Sequence, residues 1–147
     1  MFKNILVPTD GSKLSMKAVD KAIEFSKETA ATLTVLTVVP PYPVTPAGDG
    51  YVLEPITGDT WDKVMKARAD KILAAAGKRA KAKNVSVQLL SIRSGLTYDG
   101  IIATAKKRKC DLIIMASHGR RGLSALLLGS ETTKVLTHSS IPVLVCR

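Results

Sequence analysis

Five short apolar runs, each closed by a turn signal and separated by segments of helical period, limit what this chain can fold into. The runs are residues 4–7, 32–39, 85–92, 112–115 and 141–146. The second, Thr-Leu-Thr-Val-Leu-Thr-Val-Val, is dense in β-branched residues and reads as a strand. The fourth, Leu-Ile-Ile-Met, is apolar without alternation, as expected of a strand covered on both faces. Between the runs, Ser12 caps a helix with Leu14, Ala18, Val19, Ala22 and Ile23 on one face, ending near Thr29. Asp59 or Thr60 opens a second helix carrying Trp61, Met65, Ile72, Ala76 and Ala80 to about Ala82, with Asn84 as its stop. The third runs from Thr97 to about Lys107 with Ile101, Ile102 and Ala105 inward, and the fourth ends near Thr137. Strands alternating with helices pair in parallel through right-handed crossovers. The expected fold class is therefore α/β: an open, doubly wound, five-stranded parallel sheet with four helices, Rossmann-like, in one domain over residues 1–147. Such sheets bind ligands beyond the carboxyl ends of their strands, where the strand order switches. The loops after the first and fourth strands, holding Asp10 and Gly119, fall at that edge.

Aromatic residues are 4% of the chain, so the core is aliphatic. A net charge of +10 raises the question of a polyanionic partner. Eight basic residues, however, lie between Lys63 and Lys83, where they read as the solvent face of one helix. Four more, Lys106 to Lys109, fall at a helix C-terminus, which favours cations. No aromatic residues interleave with these runs to stack bases, which disfavours nucleic acid. No apolar run approaches the length of a membrane span. Ile5-Leu6-Val7 before Pro8 is too short for a signal-peptide core. Cys110 and Cys146 make no disulfide framework and read as packing residues. The expected location is the cytoplasm. From Pro40 to Gly58 the chain has five prolines and three glycines, an ordered or partly mobile loop whose length suggests a function.

The stretch from Asp111 to Gly122, continued by Leu128-Gly129-Ser130, reads as a buried strand, a glycine-containing turn and a helix start. Backbone N–H groups at such a turn lie at the positive end of a helix dipole and make a cradle for phosphate. Gly122 to Ser130 lacks the lysine of a Walker A loop, and no GxGxxG is present. His118 has no nucleophile or carboxylate beside it and reads as a cap or solvent contact; His138 reads as structural, and Trp61 as core or interface. Two isolated histidines lack metal-ligand spacing, so Mg²⁺ would arrive with a nucleotide. Without a base or water-positioning group, an enzyme is disfavoured and hydrolysis of a phosphate-bearing ligand would be slow at most. A receiver domain is excluded by Ile92-Arg93-Ser94 and Cys146-Arg147 where it needs aspartate and lysine.

Three segments together resemble the universal stress protein family, along essentially the whole chain. They are the opening Ile5-Leu6-Val7-Pro8-Thr9-Asp10-Gly11-Ser12, the loop Ala116-Ser117-His118-Gly119 followed nine residues later by Gly129-Ser130, and the ending Ser140-Ile141-Pro142-Val143-Leu144-Val145. The loop resembles the family's ATP-binding signature, Gly-x₂-Gly-x₉-Gly-Ser/Thr. The resemblance implies an adenine nucleotide alpha hydrolase-like fold and a stress-response regulatory protein that binds ATP or a related adenylate. It implies Pro8, Thr9 and Asp10 beside the adenosine, with Val38 and Val39 against adenine. Met115 adds apolar contact and Ala116 lies by the ribose. Gly119, Gly129 and Ser130 hold the phosphates, flanked by His118, Gly122 and Glu131. By charge alone, Arg120 and Arg121 would add cations to the phosphates. The signature's first glycine is Ala116 here, and its methyl is expected to crowd ribose or phosphate. The alternative, which Ala116 favours, is an interaction module that binds no nucleotide and pairs as a homodimer through Val143, Leu144 and Val145. An unknown protein partner is implied in either case.

Overall fold

The computed structural model describes residues 1–43, 57–119 and 127–147. Its elements alternate in chain order: β1 Asn4–Pro8, α1 Lys13–Thr29, β2 Thr32–Val39, α2 Gly58–Ala82, β3 Val87–Arg93, α3 Thr97–Lys107, β4 Leu112–Ala116, α4 Ser130–His138 and β5 Val143–Cys146. The strands form one parallel sheet in the order β3-β2-β1-β4-β5. The expected α/β architecture is present, and the order reverses between β1 and β4.

Side-chain alternation along the strands divides the core in two. Ile5 and Val7 of β1, Leu33 and Val35 of β2, and Leu112, Ile114 and Ala116 of β4 pack beneath α1 and α2 with Val19, Ile23, Leu73 and Ala76. Leu6, Leu36, Ile113 and Met115 face the other way, against Ile101, Ile102 and Ala105 of α3 and Val135 of α4. Ile5, Leu6 and Val7 are fully buried, each stabilising the fold by about 1.5–3 kcal/mol. β1 and β4 are thus covered on both faces, which is why their sequences do not alternate.

The element ends refine the sequence expectations. α2 is capped by Thr57, whose hydroxyl accepts from the Thr60 N–H, and not by Asp59 or Thr60. β3 begins at Val87 rather than Val85, because the Val85 N–H still bonds to Ala80 O after Asn84 turns left-handed at φ 57°. β5 begins at Val143, since Pro142 has no N–H and the Ile141 N–H is taken by the Ser139 hydroxyl. β4 extends one residue further than expected, through Ala116. Trp61 is half-buried rather than core. It meets Tyr42 edge-on at 6.2 Å and points its indole N–H at Pro40 O, 3.4 Å away. Among the described residues no helix is long and apolar enough to cross a membrane.

Candidate functional site

At the reversal in strand order, the chain after β1 and the chain after β4 diverge to opposite faces and leave a cleft of about 670 Å³. Its β1 wall is fixed by a chain of hydrogen bonds. The Thr9 N–H donates to Leu36 O at 2.8 Å, and the Thr37 hydroxyl donates to Thr9 O at 3.1 Å. Thr9 Oγ1 accepts from the Gly11 N–H and lies 2.8 Å from Ser15 Oγ, which donates in turn to Asp10 Oδ1 at 2.8 Å. Asp10 Oδ1 also accepts from the Ser12 N–H. This winding needs φ 78° at residue 11, a left-handed value at which glycine carries no steric penalty. The Asp10 carboxylate is thereby held over Gly119: a Cβ on that glycine would lie 2.5 Å from Asp10 Oδ2.

The β4 wall is tied to α4. The Ser117 N–H donates to Cys146 O, the Gly129 N–H to Ser117 O at 2.7 Å, and the buried Thr132 hydroxyl to Ala116 O at 2.9 Å. A Cβ on Gly129 would stand 3.0 Å from the His118 Cα, so the glycine lets the two backbones close. His118 Nδ1 lies 3.2 Å from Ser117 Oγ. The ends of the other helices are occupied by side chains: Ser12 caps α1, Thr57 caps α2, and the Glu131 carboxylate accepts from the Tyr98 N–H in the first turn of α3 at 2.8 Å. Gly129, at the N-cap of α4, supplies no side-chain cap. Among the described residues no side-chain oxygen accepts from the first-turn N–H groups of α4, and Ser130, Glu131 and Thr132 line the cleft at the positive end of its dipole.

Pro8, Thr9, Asp10, Val38, Met115, Ala116, His118, Gly119, Gly129, Ser130 and Glu131 all line this cleft. Val39 does not. It follows Val38 on the opposite side of β2, and its carbonyl accepts from the Ser94 N–H. Arg120, Arg121 and Gly122 lie outside the described residues, as does 44–56 of the proline-rich segment. Ala116 lines the cleft and also packs in the α1-side core with Leu112 and Ile114, two and four positions back on the strand.

Sequence reasoning missed Ser15, Leu36, Arg68, Thr97, Ile101, Leu127, Leu128 and Thr132 in the lining. Ser15 and Thr132 were open to detection as polar residues on the buried faces of their helices. Arg68 carries no such signal. Leu36, Val38, Ile101 and Met115 make an apolar side, while Gly119, Gly129 and Ser130 make a side rich in backbone donors. No group of three or more His, Cys, Asp or Glu among the described residues is placed to hold a metal ion. Burial pushes both the Cys110 and the Cys146 thiol up, away from reactive thiolate, and neither lines the cleft.

The family model described as the Universal stress protein family matches residues 1–147. The chain is 35% identical to universal stress protein YxiE of Bacillus subtilis, with 100% of each chain covered. Its fold is similar to that of universal stress protein UspA from Lactobacillus plantarum, with TM-score 0.82, 25% identity, and 99% and 97% of the two chains covered. It is also similar to a universal stress protein whose crystal structure is a complex with cAMP, with TM-score 0.72, 26% identity, and 99% and 97% covered.

Proposed function

The chain belongs to the universal stress protein family, and from that premise we propose that it binds an adenine nucleotide, ATP or a close relative, in the cleft between the β1 and β4 loops. The observation that carries this reading is the start of α4, which no side chain among the described residues caps. Three helices have side-chain oxygens on their first-turn N–H groups, whereas α4 starts at a glycine with its first-turn residues lining a ligand-sized cleft. Phosphate is the anion that such donors suit. The apolar side at Leu36, Val38, Ile101 and Met115 takes adenine, and Asp10 borders the ribose. A solved relative of similar fold is in complex with cAMP, which supports an adenylate rather than another anion. Mg²⁺ is carried in by the phosphates, as the described residues offer no cage for it. The role is regulatory: nucleotide occupancy alters the surface of one domain spanning 1–147 and so its protein partner.

Calorimetric titration of MgATP into nucleotide-free protein tests this. Saturable binding is expected, weakened about tenfold or more in Gly119→Ala, because the new methyl must displace an Asp10 carboxylate pinned by Ser12 and Ser15. An absence of heat and of competition at millimolar ATP, in folded protein, rules the reading out.

A further inference from the structure

A second hollow lies on the α3 face of the sheet and shares no lining residue with the cleft. α3 starts close to β3, where a Cβ on Gly100 would lie 3.0 Å from Ile92 Cδ1. It then leans over β1 and β4, with Ile101, Ile102 and Ala105 packed beside Leu6 and Ile113. Between α3 and the same face of β2 and β3 this leaves a groove of about 440 Å³, within the range of small-molecule sites. Leu90 and Ile92 of β3 give it an apolar floor, and both are only half-buried by the fold.

Two threonines in this groove are not explained by the fold. Thr34 of β2 and Thr104 of α3 both line it, and they are only 1% and 7% exposed. Among the described residues no hydrogen bond engages either hydroxyl. Thr29, Thr133 and Thr137, by contrast, each bond back to the carbonyl four residues earlier on their helices. No polar side-chain atom that is shut off from solvent goes unpaired among the described residues, so both oxygens keep their access through the groove. A hydroxyl buried without a partner is destabilising, and valine has the same shape, so packing alone favours valine at both positions. The groove is also polarised along its length. Thr34 is in register with Gln88, whose Oε1 accepts from Arg108, one turn beyond Thr104. Lys107 and Arg108 line this end with no ion pair among the described residues, and no carboxylate lines the groove. The negative end of α3 is already met by Asn4 Nδ2, which donates to Arg108 O and Lys109 O. The nearby Asp111 carboxylate is engaged by the Lys3 and Asn4 N–H groups.

We propose that this groove is a second ligand site, for a small organic carboxylate with an apolar body. The body lies on Leu90 and Ile92, the carboxylate accepts from the Thr34 and Thr104 hydroxyls, and Lys107 and Arg108 offset its charge. A single negative charge suits a site whose floor is apolar, because a dianion costs more to desolvate there. Amide NMR of the full chain, titrated with 4-phenylbutyrate, octanoate and the neutral 4-phenylbutanamide, tests this. Both carboxylates are expected to give saturable shifts centred on Thr34, Leu90, Thr104 and Lys107, with Kd in the millimolar range or tighter, and the amide to bind more weakly. The double variant Thr34→Val/Thr104→Val is expected to lose about fivefold or more in carboxylate affinity, while its urea midpoint does not fall, since no bond within the fold is removed. Lys107→Gln weakens both carboxylates about twofold to threefold and leaves the amide unchanged. No saturable shift with either carboxylate at about 10 mM overturns the proposal, as do shifts centred on Met115 and Ser130 of the cleft, or an amide that binds as tightly as the acid. A double variant of lowered stability assigns the two hydroxyls to the fold and overturns it as well. None of these outcomes bears on the nucleotide reading, because the two sites share no lining residue.

Discussion

Ala116 has its carbonyl bonded to the Thr132 hydroxyl and its methyl side in the core beneath α1. Replacing it with glycine is therefore expected to cost packing more than it opens room for ligand. It removes one buried methyl, worth about 0.8 kcal/mol, and adds chain entropy to the unfolded state, worth about 0.5–1 kcal/mol. Ala116→Gly is expected to lower unfolding stability by about 1–2 kcal/mol in urea and to leave MgATP affinity within about twofold of wild type. A gain of tenfold in affinity refutes this account of the methyl. The contrast with Gly119 is one of direction: a methyl there projects onto Asp10, whereas strand alternation puts residue 116 on the side of Leu112 and Ile114. That direction is not written in the glycine spacing. It follows from the alternation of β4, which the sequence hides because Leu112, Ile113, Ile114 and Met115 are apolar on both faces. Val38 and Val39 are hidden likewise: two identical residues side by side, of which one lines the cleft. Asp10, Gly119, Gly129 and Ser130 were legible because their position depends on turns that residue type dictates. Arg68 was not, since helical period gives the face of a residue but not the height at which the helix passes the cleft.

At the scale of elements, the strands and helices were legible because each carries its own period and its own stops. Their exact ends were set by hydrogen bonds that residue type alone does not reveal, such as Thr57 capping α2 and Asn84 delaying β3. One such bond joins elements over 100 positions apart. The Asp111 carboxylate, just before β4, accepts from the Lys3 and Asn4 N–H groups at 2.8 and 2.9 Å and so docks the start of β1 beside β4. Burial works to raise its pKa, but the N–H groups of Lys3, Asn4 and Asp111 itself outweigh burial and hold it below the usual 3.8. A carboxylate with a lowered folded pKa contributes stability that is complete above its unfolded value and is lost as pH falls through the folded one. Asp111→Asn is thus expected to cost about 0.5–1 kcal/mol at pH 7, a figure discounted for partial exposure. The deficit should hold constant down to about pH 5 and close below about pH 4. Urea unfolding of both proteins across pH 3–8 measures this; a deficit that persists undiminished at pH 3 assigns the effect to packing instead.

For the whole molecule, the two edges of the sheet are treated differently. β3 is guarded: Arg93 pairs with Asp62, and Gln88 accepts from Arg108 of the α3 C-terminus, so polar groups crowd that edge. β5 is Val-Leu-Val-Cys, with no charged or polar side chain, and Leu144 is 43% exposed. An unprotected apolar edge is the kind that pairs with another strand, and natural sheets blunt edges meant to stay alone. A second copy of β5 brought in by a two-fold axis would run antiparallel to the first and would continue the sheet, covering both Leu144 side chains. The dimer does not have to be an alternative to nucleotide binding, because the edge at β5 and the cleft between β1 and β4 are separate features of one sheet. The wild type is therefore expected to sediment as a dimer at tens of micromolar, and Leu144→Lys as a monomer, since two like charges would then face each other across the seam. MgATP affinity should change little in that variant. A monomeric wild type refutes the pairing, whereas a Leu144→Lys protein that stays dimeric places the seam on another surface.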